Sequence, residues 1–246
     1  MRLKGKTAVV TGGASGFGAG IVAKFLAEGA QVMIADINGT AAAAAAEELG
    51  ARAQQVDVAD SASMAALAEA AEAAVGTPDI FVNNAGITHL PAPMETIPEA
   101  EFDRVLAVNA KSVYISAVHV VPAMKRRGGG AILNIASTAG VSPRPNLNWY
   151  NASKGWMITA TKAMAVELAP YGIRVNALNP VAGETPLLKS FMGEDTPEVR
   201  AKFLATIPLG RFSQPEDLGN AAAFLCSEES TMITGVAMEV DGGRCI

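Results

Sequence analysis

Histidine and cysteine are almost missing from this chain, with two of each in 246 residues. His89 and His119 lie far apart, no His-Glu-x-x-His run exists, and the cysteines do not cluster, so the sequence lacks the donor pattern of a zinc site. Cys226 and Cys245 have no Cys-x-x-Cys spacing, which points to a reducing, cytoplasmic setting without disulfides. Gly-x-Ser-x-Gly is absent, leaving a serine hydrolase unsupported. Charged residues make up 17% of the chain and the net charge is −5. The chain as a whole therefore offers no electrostatic footprint for nucleic acid or anionic lipid. No apolar run approaches the ~20 residues of a membrane span, and no signal-peptide stretch is seen. Neither nucleic acid nor a membrane is an expected partner.

What is present is apolar: half of the residues are hydrophobic, and 24 others are glycine. Short β-branched runs alternate with helical patterns. Strands are expected at 7–10, 31–35, 54–58, 80–82, 131–135, 173–178 and 236–240. Helices are expected around 21–26, at 40–49 (capped by Thr40 and stopped by Gly50), 61–75, 99–124, from Tyr150 to about 170, and 216–225. Residues 183–208, with proline, glycine and scattered apolar side chains, read as a flap. Near-continuous apolar strands alternating with helices predict a parallel sheet buried on both faces. With no linker and no repeat, residues 1–246 form one α/β domain of the doubly wound type. In such sheets ligands bind beyond the carboxyl ends of the strands.

The first strand runs into Thr11-Gly12-Gly13-Ala14-Ser15-Gly16-Phe17-Gly18, which opens a helix. Glycines there let the backbone turn and approach a pyrophosphate, whose charge meets the helix N-terminus. The turn ends Phe17-Gly18-Ala19, without the Gly-Lys-Ser/Thr of an ATP phosphate loop. Asp36 closes the second strand ~20 residues on, where a carboxylate accepts from ribose hydroxyls and repels a 2′-phosphate. No arginine follows it, so NAD(H) is favoured over NADP(H). Asp57 would face the adenine amino group with Val58 on the ring, although a turn aspartate is nearly as good a reading of Asp57.

Tyr150 and Lys154 stand four apart, hence on one face of a helix. A free phenol titrates near 10, too high for a base at neutral pH. An ammonium one turn away would stabilise the phenolate and bring Tyr150 toward working pH, where it can shuttle an alcohol proton.

Taken together, Thr11–Gly18, Asp57, Asn83-Asn84-Ala85-Gly86, Asn109, Ser137, Tyr150-x-x-x-Lys154, Asn179-Pro180 and Asp241-Gly242-Gly243 resemble the short-chain dehydrogenase/reductase family over nearly the whole chain. The resemblance implies a Rossmann fold and a hydride transfer between an alcohol or ketone and a nicotinamide. It implies that Asn84, Ala85 and Gly86 back the cofactor and that Ser137 is the catalytic serine. It also implies that Asn109 holds a water and kinks its helix, linking Lys154 to solvent, and that Lys154 holds the nicotinamide ribose. The likeness is greatest to a bacterial group that includes 3-oxoacyl-carrier-protein reductases, glucose dehydrogenases and secondary-alcohol dehydrogenases, typically tetrameric. A homotetramer is therefore expected, with residues 216–240 at a subunit contact. The family's Pro-Gly after the sixth strand is Pro180-Val181 here. Its glycine is expected to have moved to Gly183, with Thr185 still on the nicotinamide amide.

The substrate pocket should be walled by 87–94, 139–149 and the flap, whose apolar side chains favour an apolar or aromatic alcohol or ketone. His89, Arg144, Trp149 and Leu187 are the candidate substrate contacts. A loop histidine at the surface and a solvated loop arginine are the plainer readings of the first two. The alternative activities are reduction of 3-oxoacyl thioesters on a carrier protein or coenzyme A, and non-catalytic sensing of a dinucleotide.

Overall fold

In the computed structural model, which describes residues 1–246, seven parallel strands form one sheet. They are β1 (Thr7–Thr11), β2 (Gln31–Asp36), β3 (Arg52–Gln55), β4 (Ile80–Asn83), β5 (Gly130–Ile135), β6 (Ile173–Pro180) and β7 (Ala237–Val240), in the order β3-β2-β1-β4-β5-β6-β7. Helices α1 (Gly16–Ala27), α2 (Gly39–Leu49), α3 (Ser61–Val75), α4 (Glu99–Leu106), α5 (Ser112–Arg127), α6 (Asn148–Leu168), α7 (Leu188–Met192), α8 (Pro197–Leu204) and α9 (Pro215–Cys226) cover it. The chain reverses direction across the sheet between β1 and β4, leaving a crevice at their carboxyl ends.

Both sheet faces are covered, which is why the strands read as unbroken apolar runs. Val10, Ile34 and Val82 pack toward α1, α2 and α9 with Phe25, Ala42 and Leu218. Val9, Met33 and Phe81 pack the other way, against Met64, Leu67, Ile115, Met124 and Leu168 of α3, α5 and α6. α4, the turn after it and α5 make one continuous helix, Glu99–Arg127, long and apolar enough to cross a bilayer. That corrects the expectation of no such segment, yet Val113, Ile115, Val120, Val121 and Met124 bury this helix on the sheet.

Several boundaries differ from expectation. β3 ends at Gln55, not Val58, because Asp57 and Val58 already belong to the turn leading into α3, which Asp60 caps, its carboxylate accepting from Ser63 N at 2.7 Å. α2 is capped by Asn38, whose Oδ1 accepts from Ala41 N at 3.0 Å, so Thr40 lies inside the helix. Gly50 stops α2 as expected, with a left-handed φ of 69°. The helix over 99–124 is not uniform: Ala107–Lys111 is a π-helical turn between α4 and α5. The flap carries two short helices, α7 and α8, and a small core of its own built on Val181, Leu188, Met192, Ile207 and Phe212.

Candidate active site

A cavity of about 440 Å³ opens at the carboxyl ends of the central strands. Its floor is the glycine turn. Gly12 has φ +62°, and a Cβ there would lie 2.9 Å from Asn84 Nδ2 and 3.0 Å from Ala85 Cα. Only glycine gives both the left-handed turn and that approach. Asn84 Nδ2 donates to the Thr11 and Gly12 carbonyls at 2.8 and 3.0 Å, tying the β4 end to the turn. The N-terminus of α1 has no side-chain cap at Ser15 and no acid in its first turn. Its free N–H groups therefore face the cavity as a cradle for a phosphate.

Asp36 lines the cavity, and its two oxygens accept from Ala14 N at 3.1 Å and Asn38 N at 3.0 Å. Each carboxylate oxygen has a second lone pair, so ribose hydroxyls could still be received. Asp57 combines both readings: Oδ1 accepts from Ala59 N at 2.9 Å as a turn aspartate does, while the residue also lines the cavity beside Val58. These residues fit a nicotinamide dinucleotide, with the glycine cradle for its pyrophosphate and the two acids along its adenosine half.

The reactive end lies between β5, α6 and the flap. Ser137 ends the β5 segment in an extended conformation, and its Oγ accepts from Ala139 N at 3.1 Å. Thr138, the neighbouring hydroxyl, begins a short 3-10 turn and is absent from the cavity wall. Tyr150 and Lys154, on α6, both line the cavity although they are only 5% and 4% exposed. The ammonium lies 5.9 Å from the phenol ring centroid and donates to the Ile135 carbonyl at 2.8 Å.

Burial pushes the Tyr150 phenol upward from its ordinary 10, while Ser137 beside it and the positive charge of Arg144 pull the other way. The sequence expectation that Lys154 depresses the phenol is therefore not seen in the protein alone. Burial dominates, and the lysine is itself pushed down to about 8 because its charge is costly there. A bound dinucleotide would alter both influences by replacing cavity solvent and adding charge.

Asn109 sits in the π-helical turn but outside the cavity wall, with no exposed surface. Its Oδ1 accepts from Ile87 N at 2.9 Å, and its Nδ2 donates to Ile87 O at 2.9 Å and Ser153 Oγ at 3.0 Å. Ser153 in turn donates to Tyr150 O at 2.7 Å. The side chain thus braces the loop after β4 against α6. Gly86 spans the gap between Lys154 and Asn109: a Cβ there would meet Lys154 Nζ at 3.3 Å and Asn109 Oδ1 at 3.5 Å.

Gly183 and Thr185 line the cavity with Phe17 and Leu187. A Cβ on Gly183 would lie 2.2 Å from Phe17 Cζ, so this glycine admits the phenyl ring. Val181, where the family pattern has glycine, turns its side chain into the flap core and extends the β6 pairing, its N donating to Val240 O at 3.3 Å.

Five expected site residues lie outside the cavity wall: Gly18, Asn109, His89, Arg144 and Trp149. Gly18 supports the turn, since a Cβ there would meet Gly12 O at 2.1 Å. His89 is no surface histidine; it is 2% exposed and its Nδ1 pairs with Leu90 O at 2.8 Å. Trp149 packs edge-on against Phe102 with centroids 5.3 Å apart and donates Nε1 to Met94 O at 3.2 Å, which turns it away from the reactive centre. Arg144 lies behind Phe191, its Cζ 4.3 Å from that ring and 4.2 Å from Phe203. Phe191, missed as a cavity residue, packs edge-on against Tyr150 at 5.6 Å. Its place among the flap apolars carried no signal to separate it from its neighbours.

Comparison with known proteins agrees with this geometry. Residues 12–244 match the family model described as enoyl-(acyl carrier protein) reductase. The chain is 48% identical to 4-formylbenzenesulfonate dehydrogenase of Comamonas testosteroni, covering all of both chains. It is 38% identical to 2-dehydro-3-deoxy-L-rhamnonate dehydrogenase (NAD(+)) of a Sphingomonas strain, over 99% of this chain and 96% of that one. Among solved structures, 3-ketoacyl-(acyl-carrier-protein) reductase from Brucella melitensis, complexed with NADH, superposes with a TM-score of 0.93. It is 49% identical over 99% of this chain and all of its own.

Proposed function

This chain belongs to the short-chain dehydrogenase/reductase family and is an oxidoreductase acting on the alcohol/carbonyl pair; from there we propose that Tyr150 is its general acid/base and NAD(H) its preferred cofactor. The observation that carries the proposal is that Tyr150, Ser137 and Lys154 line the same cavity as the glycine turn and Asp36. A bound nicotinamide would supply the hydride acceptor or donor. The protein's part is then positioning and proton transfer. Ser137 holds the substrate oxygen, and the Tyr150 phenol gives or takes its proton. Lys154, held to Ile135 O, keeps its ammonium 5.9 Å from the centre of the phenol ring. The buried walls exclude water from the reacting pair.

The preference for NAD(H) rests on Asp36, whose carboxylate would face a 2′-phosphate with Ile37 and Asn38, not a cation, beside it. Similarity to a relative named for NAD(+) and to a structure holding NADH supports it. The walls contributed by Leu187, Leu188 and Phe191 favour an apolar or aromatic alcohol or carbonyl compound, in line with a relative named for an aromatic aldehyde. Reduction of 3-oxoacyl thioesters is the second reading, favoured by the Brucella structure. Against it, an acidic carrier protein would meet a chain of net charge −5. Dinucleotide sensing without turnover is disfavoured by the complete set of reactive side chains.

We also propose a cytoplasmic homotetramer. Both cysteines are free, as suits a reducing compartment. Tyr114, Trp156 and Val166 leave apolar area exposed on α5 and α6, as do Met232 and Ile246 toward the C-terminus. The deciding experiment follows NADH absorbance over secondary alcohols, β-hydroxy thioesters and polyols, for the native protein and Tyr150→Phe. The variant should bind NADH normally and lose at least ~100-fold in kcat, the usual worth of a positioned acid/base. Unchanged turnover would defeat the mechanism. NADH binding by the native protein with no turnover on any substrate would favour the sensor.

A further inference from the structure

Five buried side-chain polar atoms in this protein have no hydrogen-bond partner: His89 Nε2, Arg144 Nε, Asn151 Oδ1 and both polar atoms of Asn179. They are not scattered. His89 and Arg144 lie on the two loops expected to wall the substrate side, Asn151 follows the reactive tyrosine, and Asn179 precedes Pro180, the last residue of β6, which lines the cavity. Buried polar groups without partners are costly and rare, and clustering at one place in a fold points to a ligand or ordered water.

Arg144 is the one with charge. Two other partly exposed arginines are satisfied: Arg174 donates to three carbonyls, and Arg200, 35% exposed, forks onto Glu184 and Asp195. Arg144 has no carboxylate and a single acceptor, Phe191 O at 2.9 Å, for its five N–H donors. Desolvation holds its pKa down to about 10, the cost of a half-buried cation without an anion.

Its backbone is nonetheless held in place. Pro143 and Pro145 flank it, and a following proline restricts it to extended conformations. Asn151 Nδ2 donates to the Arg144 carbonyl at 2.7 Å, locking the loop to α6 one residue beyond Tyr150. Asn146, the only non-glycine residue with positive φ (64°), turns the loop back so that its carbonyl accepts from Ala92 N at 3.0 Å. A guanidinium presented this rigidly, stacked on Phe191 and Phe203, matches the planar, two-pronged recognition of a carboxylate, sulfonate or phosphate.

We propose that Arg144 is the anion-recognition residue of the substrate site, and that the substrate carries an oxyanionic group set one aromatic ring's breadth from its reacting carbon. Phe191 fixes that spacing. Its ring touches Tyr150 on one side, at 5.6 Å between centroids, and the Arg144 guanidinium at 4.3 Å on the other. The apolar middle of the substrate lies along α7, and its charged end reaches past Phe191 to Arg144, which stands behind that ring and outside the cavity wall. The alcohol or carbonyl faces Tyr150 and Ser137. This inference rests on the oxidoreductase reading of the same cavity and names the substrate class for it.

The test is binding, so it does not depend on guessing the substrate. Benzoate and benzenesulfonate are titrated by calorimetry against benzyl alcohol into the enzyme–NADH complex, for the native protein, Arg144→Lys and Arg144→Met. The native complex should bind the anions at least ~10-fold tighter than the alcohol, about the worth of one charge-assisted hydrogen bond. Arg144→Lys should keep part of that preference and Arg144→Met none, while NADH affinity is retained in both. Anions binding no better than benzyl alcohol to the native complex, or a preference that survives in Arg144→Met, overturns the proposal. An arginine that merely glued α7 to the loop would weaken neutral and anionic probes equally. Failure of the oxidoreductase reading looks different: no NADH forms from any alcohol, whatever the anions do.

Discussion

Replacing Gly183 by alanine probes the contact that lets this chain dispense with glycine at position 181. The added Cβ would stand 2.2 Å from Cζ and 2.5 Å from Cε1 of Phe17, and 2.9 Å from the Ser213 carbonyl oxygen. Carbon atoms sit comfortably at ~3.5–4.0 Å, so the ring must retreat by more than an ångström. The backbone cannot open to relieve it. Ser213 N donates to Ala182 O at 3.2 Å and Glu184 N to Ser213 O at 3.0 Å, clamping Gly183 to Ser213. The open direction for the ring is the cavity that both residues line. Overpacking of this kind costs ~1–3 kcal/mol. If that strain is discharged into the site, NADH affinity falls roughly 5- to 150-fold, at about 1.4 kcal/mol per decade. The assay is NADH fluorescence titration with thermal melting for Gly183→Ala, Phe17→Leu and the double variant. Leucine lacks Cε1 and Cζ, so the double variant should recover most of the loss, with a coupling energy of ~1–2 kcal/mol. Native affinity and melting in Gly183→Ala, or a double variant no better than the single one, would refute the packing argument.

Asp36→Ala should narrow the advantage of NAD over NADP in kcat/KM by ~10-fold, the effect of removing one charged group from the ribose contact. It should also weaken NAD itself, because Asp36 braces Ala14 N and Asn38 N; equal use of both cofactors by the native protein would contradict the assignment. Removing the positive charge in Arg144→Met takes away one of the influences that lower the Tyr150 pKa, so the phenol titrates higher. The rising limb of alcohol oxidation against pH should move to more alkaline values, and an unmoved limb would count against that coupling. Lys154 titrates at about 8 when folded and at its ordinary 10.5 when unfolded, so the unfolded chain binds more protons between those values. Native stability therefore gains from this group as pH rises from 8 toward 10.5. Lys154→Met should lose that gain in melting experiments, and an identical pH dependence would show the lysine to be solvated.

Much of the site could be read from local pattern. Tyr150 and Lys154 share a face because helical periodicity places residues four apart together, and the glycine turn announces itself because left-handed backbone needs glycine. Asp36 follows from the length of one strand–helix–strand unit. Where local signals compete, the tertiary structure chooses between them. The strand expected over 54–58 ends at Gln55 because Val56 and Val58 are apolar but pack from beyond the ladder, and Asn38 caps α2 in place of Thr40. His89 and Trp149 are neighbours of site residues in sequence, but their side chains are committed to Leu90 and Met94.

Composition and periodicity by themselves determined a two-sided parallel sheet with its glycine turn at a strand end, because burial on both faces demands continuous apolar strands and tight turns demand glycine. Only the tertiary structure decided what meets across the cavity: Phe17 against Gly183, Phe191 between Tyr150 and Arg144, and Asn109 against Ile87 and Ser153. Those contacts join residues far apart in the chain, and no repeat of 2 or 3.6 residues records them. The charge environment of Tyr150 belongs to the same class, since burial raises its pKa against the pull of Ser137 and of an arginine from a neighbouring loop, not the lysine one helical turn away.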